Sequence, residues 1–316
     1  MKNNLKGGFI LALAALIWGT TFVAQEEAAR YIGSFTLNCL RSFVGFLVLI
    51  PVVLFLKNRR EKKSLVKERL VTKHLILGGV LCGLMLSIAA NLQQIGIIFN
   101  AELAEGDSGK AGFITAMYII FVPIISVIGG KRLRLSLVVA VLVAVFGLYF
   151  ISVKQGFSIS SGDVTLLLCA LAFSGHIILV DHFVEKTDGV ALSCLQFLVA
   201  GIVSGILMLL AESDRLSFSV VFSATIPILY CGVLSSGIAY TLQIVGQKYS
   251  EPSVASLVMS LESLFAMIAA CIFYRKLPTL CEGVGCVLMM VAIFIVETPY
   301  FDNMISKLKR KDNVAL

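Results

Sequence analysis

Apolar segments of about twenty residues follow one another along almost the whole chain, with short polar stretches between them. Because an α-helix rises 1.5 Å per residue, about twenty residues cross a bilayer core of ~30 Å. The first segment ends at Glu26 and Glu27 without an A-x-A cleavage site, so we interpret it as a retained span rather than a signal peptide. The pattern predicts ten membrane-spanning helices, near residues 7–25, 35–56, 74–98, 109–129, 135–152, 163–182, 190–211, 224–247, 253–273 and 281–297.

The composition indicates the same class, an all-α integral membrane protein. Hydrophobic residues make up 58% of the 316 residues and charged residues only 14%, whereas soluble domains carry about 25% charge. The net charge of +7 does not indicate nucleic-acid binding, because the basic residues cluster in short loops. The eight cysteines form no CxxC pair and the three histidines have no HExxH spacing. We therefore expect no metal site and no cofactor.

The distribution of Lys and Arg predicts the orientation in the membrane. With both termini in the cytoplasm, 19 basic residues lie inside and 6 outside, and Arg41 lies within a helix. Loop 57–73 and the basic tail 298–316 contribute most to this asymmetry, and the predicted outer loop 99–110 is acidic. The positive-inside rule favours this orientation, although Arg275 and Lys276 oppose it.

The two halves of the chain repeat each other. Counting along the matched segments, Gly19 falls on Gly175 and Tyr118 falls on Glu262. The matched segments are ALIWG (15–19) with ALAFSG (170–175), FTLNCLRSFVG (35–45) with VALSCLQFLVAG (190–201), NLQQIG (91–96) with TLQIVG (241–246), and GKRL (130–133) with YRKL (274–277). Five helices per half require the second half to begin on the opposite side of the membrane. We predict two inverted-topology five-helix repeats, residues 7–152 and 163–297, related by a pseudo-two-fold axis in the membrane plane.

Several of these stretches resemble the EamA family of the drug/metabolite transporter superfamily, in its bacterial permease branch. The resemblance covers about residues 7–297 and rests on ALIWGTTFVAQ (15–25), IGSFTLNCLR (32–41), GKAGFITAMYIIFVPII (109–125), GDVTLLLCALAFSGHIILVDHF (162–183), GVLSSGIAYTLQIVGQ (232–247) and SLESLFA (260–266). It implies ten helices in a 5+5 inverted arrangement, a central substrate cavity and alternating access in a bacterial inner membrane. The Gly-Glu pair that the family carries after the fourth and ninth helices reads Gly130–Lys131 and Tyr274–Arg275 here, so no role of that glutamate is carried over.

Glu262 is the ionisable residue with the strongest claim to function. It lies near the middle of the predicted span 253–273, where a charge costs about 2.5–3.5 kcal/mol on insertion scales. We interpret it as the proton-coupling residue in a polar pathway, with a hydrogen-bonded structural carboxyl as the alternative. Arg41 is the candidate partner, as a counter-ion for Glu262 or for an anionic substrate group, unless its side chain extends to the membrane surface.

The remaining polar and aromatic residues of the spans have two interpretations each. Buried amides and histidines bind substrate or join helices, and aromatic rings line a cavity or pack. Pro123 predicts a kink in the fourth helix, without a counterpart in the second half. The predicted substrate pathway contains Trp18, Arg41, Asn91, Gln93, Tyr118, His176, Gln196, Tyr240, Gln243 and Glu262.

These features favour a secondary transporter over the other functional classes. An intramembrane enzyme requires a nucleophile–base pair or a metal site, and a channel requires polar rings or a selectivity loop. Neither pattern is visible in the sequence, and the chain has no ATP-binding motif. We expect a monomeric or homodimeric permease in the lipid bilayer that moves a small metabolite such as an amino acid outward, coupled to protons. An uncoupled facilitator or an importer of the same fold is the alternative.

Overall fold

The computed structural model describes residues 4–64, 71–101, 108–152, 160–275 and 277–297. The predicted tail 298–316 and the acidic residues of loop 102–107 lie outside these ranges. A π-helical segment, Cys231–Ala239, and a short 3₁₀ helix, Ser213–Arg215, accompany the α-helices. The α-helices of the described residues are α1 Asn4–Ala29, α2 Ser34–Ser64, α3 Lys73–Ala101, α4 Ser108–Thr115, α5 Tyr118–Ile128, α6 Leu135–Ser152, α7 Ser161–Val184, α8 Gly189–Ala211, α9 Phe218–Ser223, α10 Thr225–Tyr230, α11 Tyr240–Gln247, α12 Pro252–Met259, α13 Leu261–Phe273 and α14 Leu280–Glu297.

The predicted all-helical membrane protein is confirmed at this level. Within the described ranges, eight helical stretches are long and apolar enough to cross a membrane. The other two predicted spans correspond to the shorter apolar helices Leu135–Ile151 and Leu280–Val296. At 1.5 Å per residue each of these is about 26 Å long, slightly less than the typical bilayer core.

Three of the predicted crossings consist of more than one helical segment. The predicted fourth is divided into α4 and α5, the predicted eighth into α10, the π-helical segment and α11, and the predicted ninth into α12 and α13. In the fourth crossing the division falls at Ala116–Met117, and the helix continues through Pro123. The kink predicted at Pro123 is therefore not where this crossing is interrupted. The turn is closed instead by tighter bonds between residues three apart, from Met117 N to Ile114 O and from Ile119 N to Ala116 O.

Helices from the two halves pack against one another throughout the bundle. Helix α1 packs on α13, α3 on α7, α2 on α8, and α6 on α14. Helices α2 and α8 are antiparallel, because the start of each helix contacts the end of the other. Glu212, which follows α8, accepts hydrogen bonds from Phe35 N (3.0 Å) and Thr36 N (2.8 Å) at the start of α2. Arg60 near the end of α2 pairs with Asp188, which caps α8.

The α6–α14 contact is close enough to be tested with a single methyl group. A Cβ atom on Gly285 would lie 2.5 Å from Gly147 O and 2.8 Å from Ile151 N, whereas a Cβ on Gly283 would meet no atom within 4 Å. Gly285→Ala should therefore push α14 away from α6 and destabilise the protein by about 1–3 kcal/mol, the usual cost of overpacking. Gly283→Ala is the matched control and should not lower the melting temperature in detergent. Equal melting temperatures for the two variants would contradict the packing of α6 on α14.

Candidate functional site

Two of the interrupted helices, α4–α5 and α12–α13, meet near their interruptions. The repeat places Tyr118 opposite Glu262, 144 residues later, and the same spacing places Ala116 opposite Ser260. Ala116 lies at the turn that separates α4 from α5, and Ser260 lies at the turn that separates α12 from α13. The Tyr118 hydroxyl donates to Glu262 Oε1 at 2.9 Å, and Ser263 Oγ donates to Gly112 O at 2.8 Å. Two positions that correspond in the repeat therefore contact each other directly.

Serine hydroxyl groups in α12 and at the turn that follows it explain part of the interruption between α12 and α13. Ser256 Oγ donates to Ser253 O at 3.0 Å, and Ser260 Oγ donates to Leu257 O at 2.7 Å. Such side-chain bonds compete with the backbone ladder of a helix and favour an interruption. As a result, Glu262 lies in the first turn of α13, where the helix dipole favours a carboxylate.

A small cavity adjoins this junction. The centre of a water molecule can occupy about 30 Å³ of it, enough for about two water molecules. Seven of the ten residues predicted for the substrate pathway line it, namely Trp18, Arg41, Gln93, Tyr118, Tyr240, Gln243 and Glu262. The structure thus brings together residues from α1, α2, α3, α5, α11 and α13.

The cavity holds one guanidinium group and one carboxyl group that do not pair with each other. Arg41 and Glu262 are each only 4% exposed. Arg41 Nη1 donates to Gln25 Oε1 at 2.7 Å, while Glu262 accepts from Tyr118. No ion pair joins Arg41 to Glu262 among the described residues, so the direct contact suggested by the sequence is not formed in this structure. Each of the two groups has a neutral partner on another helix instead.

Aromatic rings and amides complete the lining. The rings of Trp18 and Tyr240 meet edge to face with centroids 4.8 Å apart. Gln243 is 2% exposed and accepts no hydrogen bond at Oε1 from the described residues, and Trp18 Nε1 likewise has no acceptor there. Gln93 donates to Thr115 Oγ1 only at 3.5 Å. Unpartnered buried polar atoms of this kind are costly, and a ligand in the cavity could satisfy them.

The other three predicted residues lie outside the cavity lining. Asn91 Nδ2 donates to Ser87 O (2.8 Å) and Ser204 Oγ (2.9 Å), and its Oδ1 accepts from Asn38 (3.0 Å). These bonds join α3 to α2 and α8. His176 Nε2 lies 3.1 Å from Gln196 Oε1 and joins α7 to α8. In this structure Asn91, His176 and Gln196 make helix-to-helix contacts, although the His176 ring also meets the edge of Tyr240.

Several cavity residues were missed by the sequence analysis. Thr21 and Gln25 line the cavity beside Trp18, and their spacing of three to four residues places all three on one face of α1. That polar face could have been detected in ALIWGTTFVAQ. Ser235 also lines the cavity and lies within the π-helical segment. Nothing in GVLSSGIA signals a π-helix, although such segments are frequent at functional sites.

The side chains that line the cavity are suited to binding a small molecule. In the described part of the chain, no three or more His, Cys, Asp or Glu side chains are grouped so that they could hold a metal ion. The lining offers one guanidinium, one carboxyl, amides, hydroxyls and aromatic faces. These groups can recognise a small polar molecule by charge, hydrogen bonding and stacking.

Comparison with known proteins identifies the family. The chain is 28% identical over 288 residues to an uncharacterized transporter of Archaeoglobus fulgidus, covering 91% of this chain and 84% of that protein. It is 22% identical over 285 residues to the uncharacterized transporter YoaV of Bacillus subtilis, covering 89% and 92%.

A protein of known crystal structure has the same fold, with a TM-score of 0.72. Its sequence is 16% identical, and the match covers 93% of this chain and 97% of that chain. The sequence model of the EamA-like transporter family matches twice, at residues 5–153 and 160–298. The chain therefore belongs to the EamA-like transporter family, as its resemblance to that family predicted.

Proposed function

We propose that this protein is a secondary transporter that moves a small metabolite, such as an amino acid, across a bacterial cytoplasmic membrane by alternating access. The observation that carries the proposal is the polar cavity at the junction of two interrupted helices inside an otherwise apolar bundle. Interrupted helices in corresponding positions of two repeats mark the substrate sites of many transporters.

The contacts between antiparallel helices of the two halves support the arrangement of ten crossings in two inverted repeats. Helices α2 and α8 correspond in the repeat and run antiparallel. Gly112 near the start of the fourth crossing is bonded to Ser263 in the second segment of the ninth, which fits an antiparallel pair of interrupted helices. The two matches to the family model divide the chain at the same place as the predicted repeats.

The same symmetry supports a site between the halves. Gln93 aligns with Gln243 and Tyr118 with Glu262, and all four residues line the cavity. Residues related by a pseudo-two-fold axis can share a small cavity only when that cavity lies close to the axis. A site on the axis can open to either side by equivalent movements of the two halves.

Proton coupling through Glu262 and export are the further parts of the proposal. A carboxyl that is 4% exposed within a crossing is costly to keep charged, and such residues commonly mark proton or ion pathways. An uncoupled facilitator and an importer are the alternatives that flux measurements separate.

Counterflow in proteoliposomes tests the transport function. Metabolites that raise the melting temperature of the purified protein would first be selected from a pooled screen, because a ligand that binds the native state stabilises it. Vesicles loaded with one such metabolite should then accumulate its labelled form transiently, with a rate that saturates. Flux that rises linearly with concentration and shows no counterflow would indicate a pore instead.

The proposed orientation, with both termini in the cytoplasm, gives a separate prediction. Lys62 near the end of α2 and Asp214 after α8 are both exposed and lie on opposite predicted sides of the membrane. In a background without reactive native cysteines, Asp214→Cys should react with an impermeant thiol reagent added to whole cells. Lys62→Cys should react only after the cells are permeabilised. Reaction of position 62 in intact cells would reverse the orientation.

A further inference from the structure

The stripe of α1 that faces out of the bundle changes in side-chain size along the helix. In the first half of α1 the stripe consists of large exposed side chains, namely Leu5, Phe9, Leu13 and Leu16. At the following positions three and four residues apart, which lie on the same face of a helix, the stripe continues with Thr20, Val23 and Ala24. The smaller side chains leave the second half of α1 recessed between the helices beside it.

An open groove lies over this recess, on the outside of the bundle. The small residues of α1 form its floor, and exposed apolar side chains of α10 and α13 form its walls, namely Ile226, Ile272 and Phe273. The centre of a water molecule can occupy about 600 Å³ of the groove. From Thr20 to the end of the helix at Ala29, α1 rises about 14 Å, which is about half of a bilayer core of ~30 Å. The groove therefore has about the length of one leaflet.

The hydroxyl groups on the floor and walls of the groove are already used within the protein. The Tyr230 hydroxyl donates to Thr20 Oγ1 at 2.6 Å, and Thr20 Oγ1 in turn donates to Ile17 O at 2.7 Å. Ser223 Oγ donates to Ser219 O at 3.1 Å. A polar molecule in the groove would lose hydrogen bonds to water and find these donors occupied. A hydrocarbon chain requires no such bonds, so the groove is suited to a hydrocarbon chain.

One end of the groove is charged. Glu27 lines it and pairs with Arg30 Nη1 at 3.3 Å, and these side chains are 31% and 51% exposed. Tyr31 also lines this end and donates from its hydroxyl to Glu27 Oε1 at 3.3 Å. These residues lie at the end of α1, where a crossing helix reaches the lipid headgroups and where tyrosine is enriched. Both charged groups can therefore reach a ligand head at the membrane surface.

We propose that this groove is a binding site for a zwitterionic phospholipid, with one acyl chain over Thr20 and Ala24, its phosphate at Arg30 and its ammonium at Glu27. An anionic head without an ammonium group would be attracted by Arg30 but repelled by Glu27, whereas a zwitterionic head is attracted by both. In the orientation proposed above, this lipid belongs to the outer leaflet. The site is separate from the central cavity and does not depend on what the protein transports.

The bound lipid connects helices that also line the central cavity. Gln25 lines the cavity from another face of α1, Ser235 lines it from the π-helical segment that follows α10, and Glu262 lines it from α13. A ligand that binds one arrangement of helices better than another shifts the protein towards that arrangement. The lipid therefore stabilises the arrangement of α1, α10 and α13 that this structure shows.

Native mass spectrometry of the delipidated full-length protein tests the site. Three ligands with identical acyl chains would be compared: phosphatidylethanolamine, phosphatidylglycerol, which lacks the ammonium, and diacylglycerol, which lacks the whole head. We expect the first molecule of phosphatidylethanolamine to bind at least five-fold more tightly than either of the others. It should also raise the melting temperature, because a ligand of the native state stabilises it. If phosphatidylglycerol or diacylglycerol binds as tightly, the proposal is wrong.

Substitutions in the groove locate the acyl chain. Ala24→Phe fills the floor and should weaken the binding of the first phosphatidylethanolamine at least ten-fold. Ile226 is 81% exposed, so Ile226→Ala removes part of a wall without disturbing the core and should weaken binding at least three-fold. Leu16→Phe introduces an aromatic ring on the same stripe of α1 outside the groove and should bind lipid as the wild type does. Wild-type affinity in both groove variants would overturn the proposal.

Charge-neutralising variants assign the head. Arg30→Gln should reduce the preference for phosphatidylethanolamine over diacylglycerol, and Glu27→Gln should let phosphatidylglycerol bind as tightly as phosphatidylethanolamine. Lys131 and Asp181 form another exposed ion pair, at 3.0 Å and outside the groove, so Lys131→Gln is the control and should keep the wild-type preferences. Unchanged preferences in Arg30→Gln and Glu27→Gln would contradict the assignment of the head.

A second copy of the chain is the other molecule that could cover this groove. The same mass spectra report the oligomeric state of the wild type and of Ala24→Phe. A wild-type dimer that Ala24→Phe dissociates into monomers would show that the groove is a protein interface, and the lipid proposal would then fail.

Discussion

Glu262→Gln should abolish the acceleration of exchange by an imposed pH gradient, while exchange without a gradient continues at saturating substrate. The amide keeps the shape of the side chain and can still accept the hydrogen bond from Tyr118, but it cannot take up or release a proton. Because Glu262 also lines the cavity, a higher half-saturation concentration is expected in the variant. The measurement is substrate exchange in proteoliposomes, with and without a pH difference across the membrane.

The surroundings of Glu262 provide the comparison variants. The titratable and charged groups that interact with this carboxyl or share its cavity are Tyr118, Cys169, Tyr240 and Arg41. Tyr118→Phe removes the 2.9 Å hydrogen bond and leaves the carboxyl able to titrate, so this variant should retain the response to pH. If Glu262→Gln responds to the gradient as the wild type does, Glu262 is structural. If the wild type itself ignores the gradient, the protein is an uncoupled facilitator.

The sequence was sufficient to predict an all-helical membrane protein, the position of its apolar helices and seven of the residues that line the cavity. Length and apolarity alone define a span, so the segments near 7–25 and 163–182 correspond to the continuous helices α1 and α7. The residues that line the cavity most clearly, Arg41 and Glu262, were predictable because charge within a span is rare and costly.

The interruptions could not be read from hydropathy. Residues 109–129 and 253–273 are apolar throughout, and the turns at Ala116–Met117 and Ser260 depend on hydrogen bonds rather than on composition. Pro123 was the visible irregularity in the sequence, yet it lies inside α5. Because a membrane helix can satisfy freed backbone groups locally, a proline alone does not fix the place of an interruption.

The sequence also did not show which buried polar residues line the cavity and which ones pack between helices. Asn91, His176 and Gln243 are all polar residues within spans, and each is buried. Asn91 and His176 have partners on other helices and lie outside the cavity lining, whereas Gln243 lines the cavity. The difference depends on which helices lie opposite, and a single sequence does not contain that information.

Ser235→Phe should reduce exchange by at least ten-fold while leaving the protein folded. Ser235 is 2% exposed and lines the cavity, so a benzyl side chain there would occupy space that the substrate needs. Ile238 lies three residues further in the same π-helical segment but is 41% exposed on the outside of the bundle. Ile238→Phe introduces the same side chain and should exchange at the wild-type rate.

Ser235→Ala separates loss of space from loss of the hydroxyl. This variant removes the hydroxyl without filling the cavity and should retain most of the exchange rate. Melting temperature and size-exclusion profile, measured for all three variants, show whether each is folded. A ten-fold loss of exchange corresponds to about 1.4 kcal/mol, well above the scatter expected from a lipid-facing substitution. If folded Ser235→Phe transports like the wild type, or if Ile238→Phe is equally impaired, the substrate does not pass through this cavity.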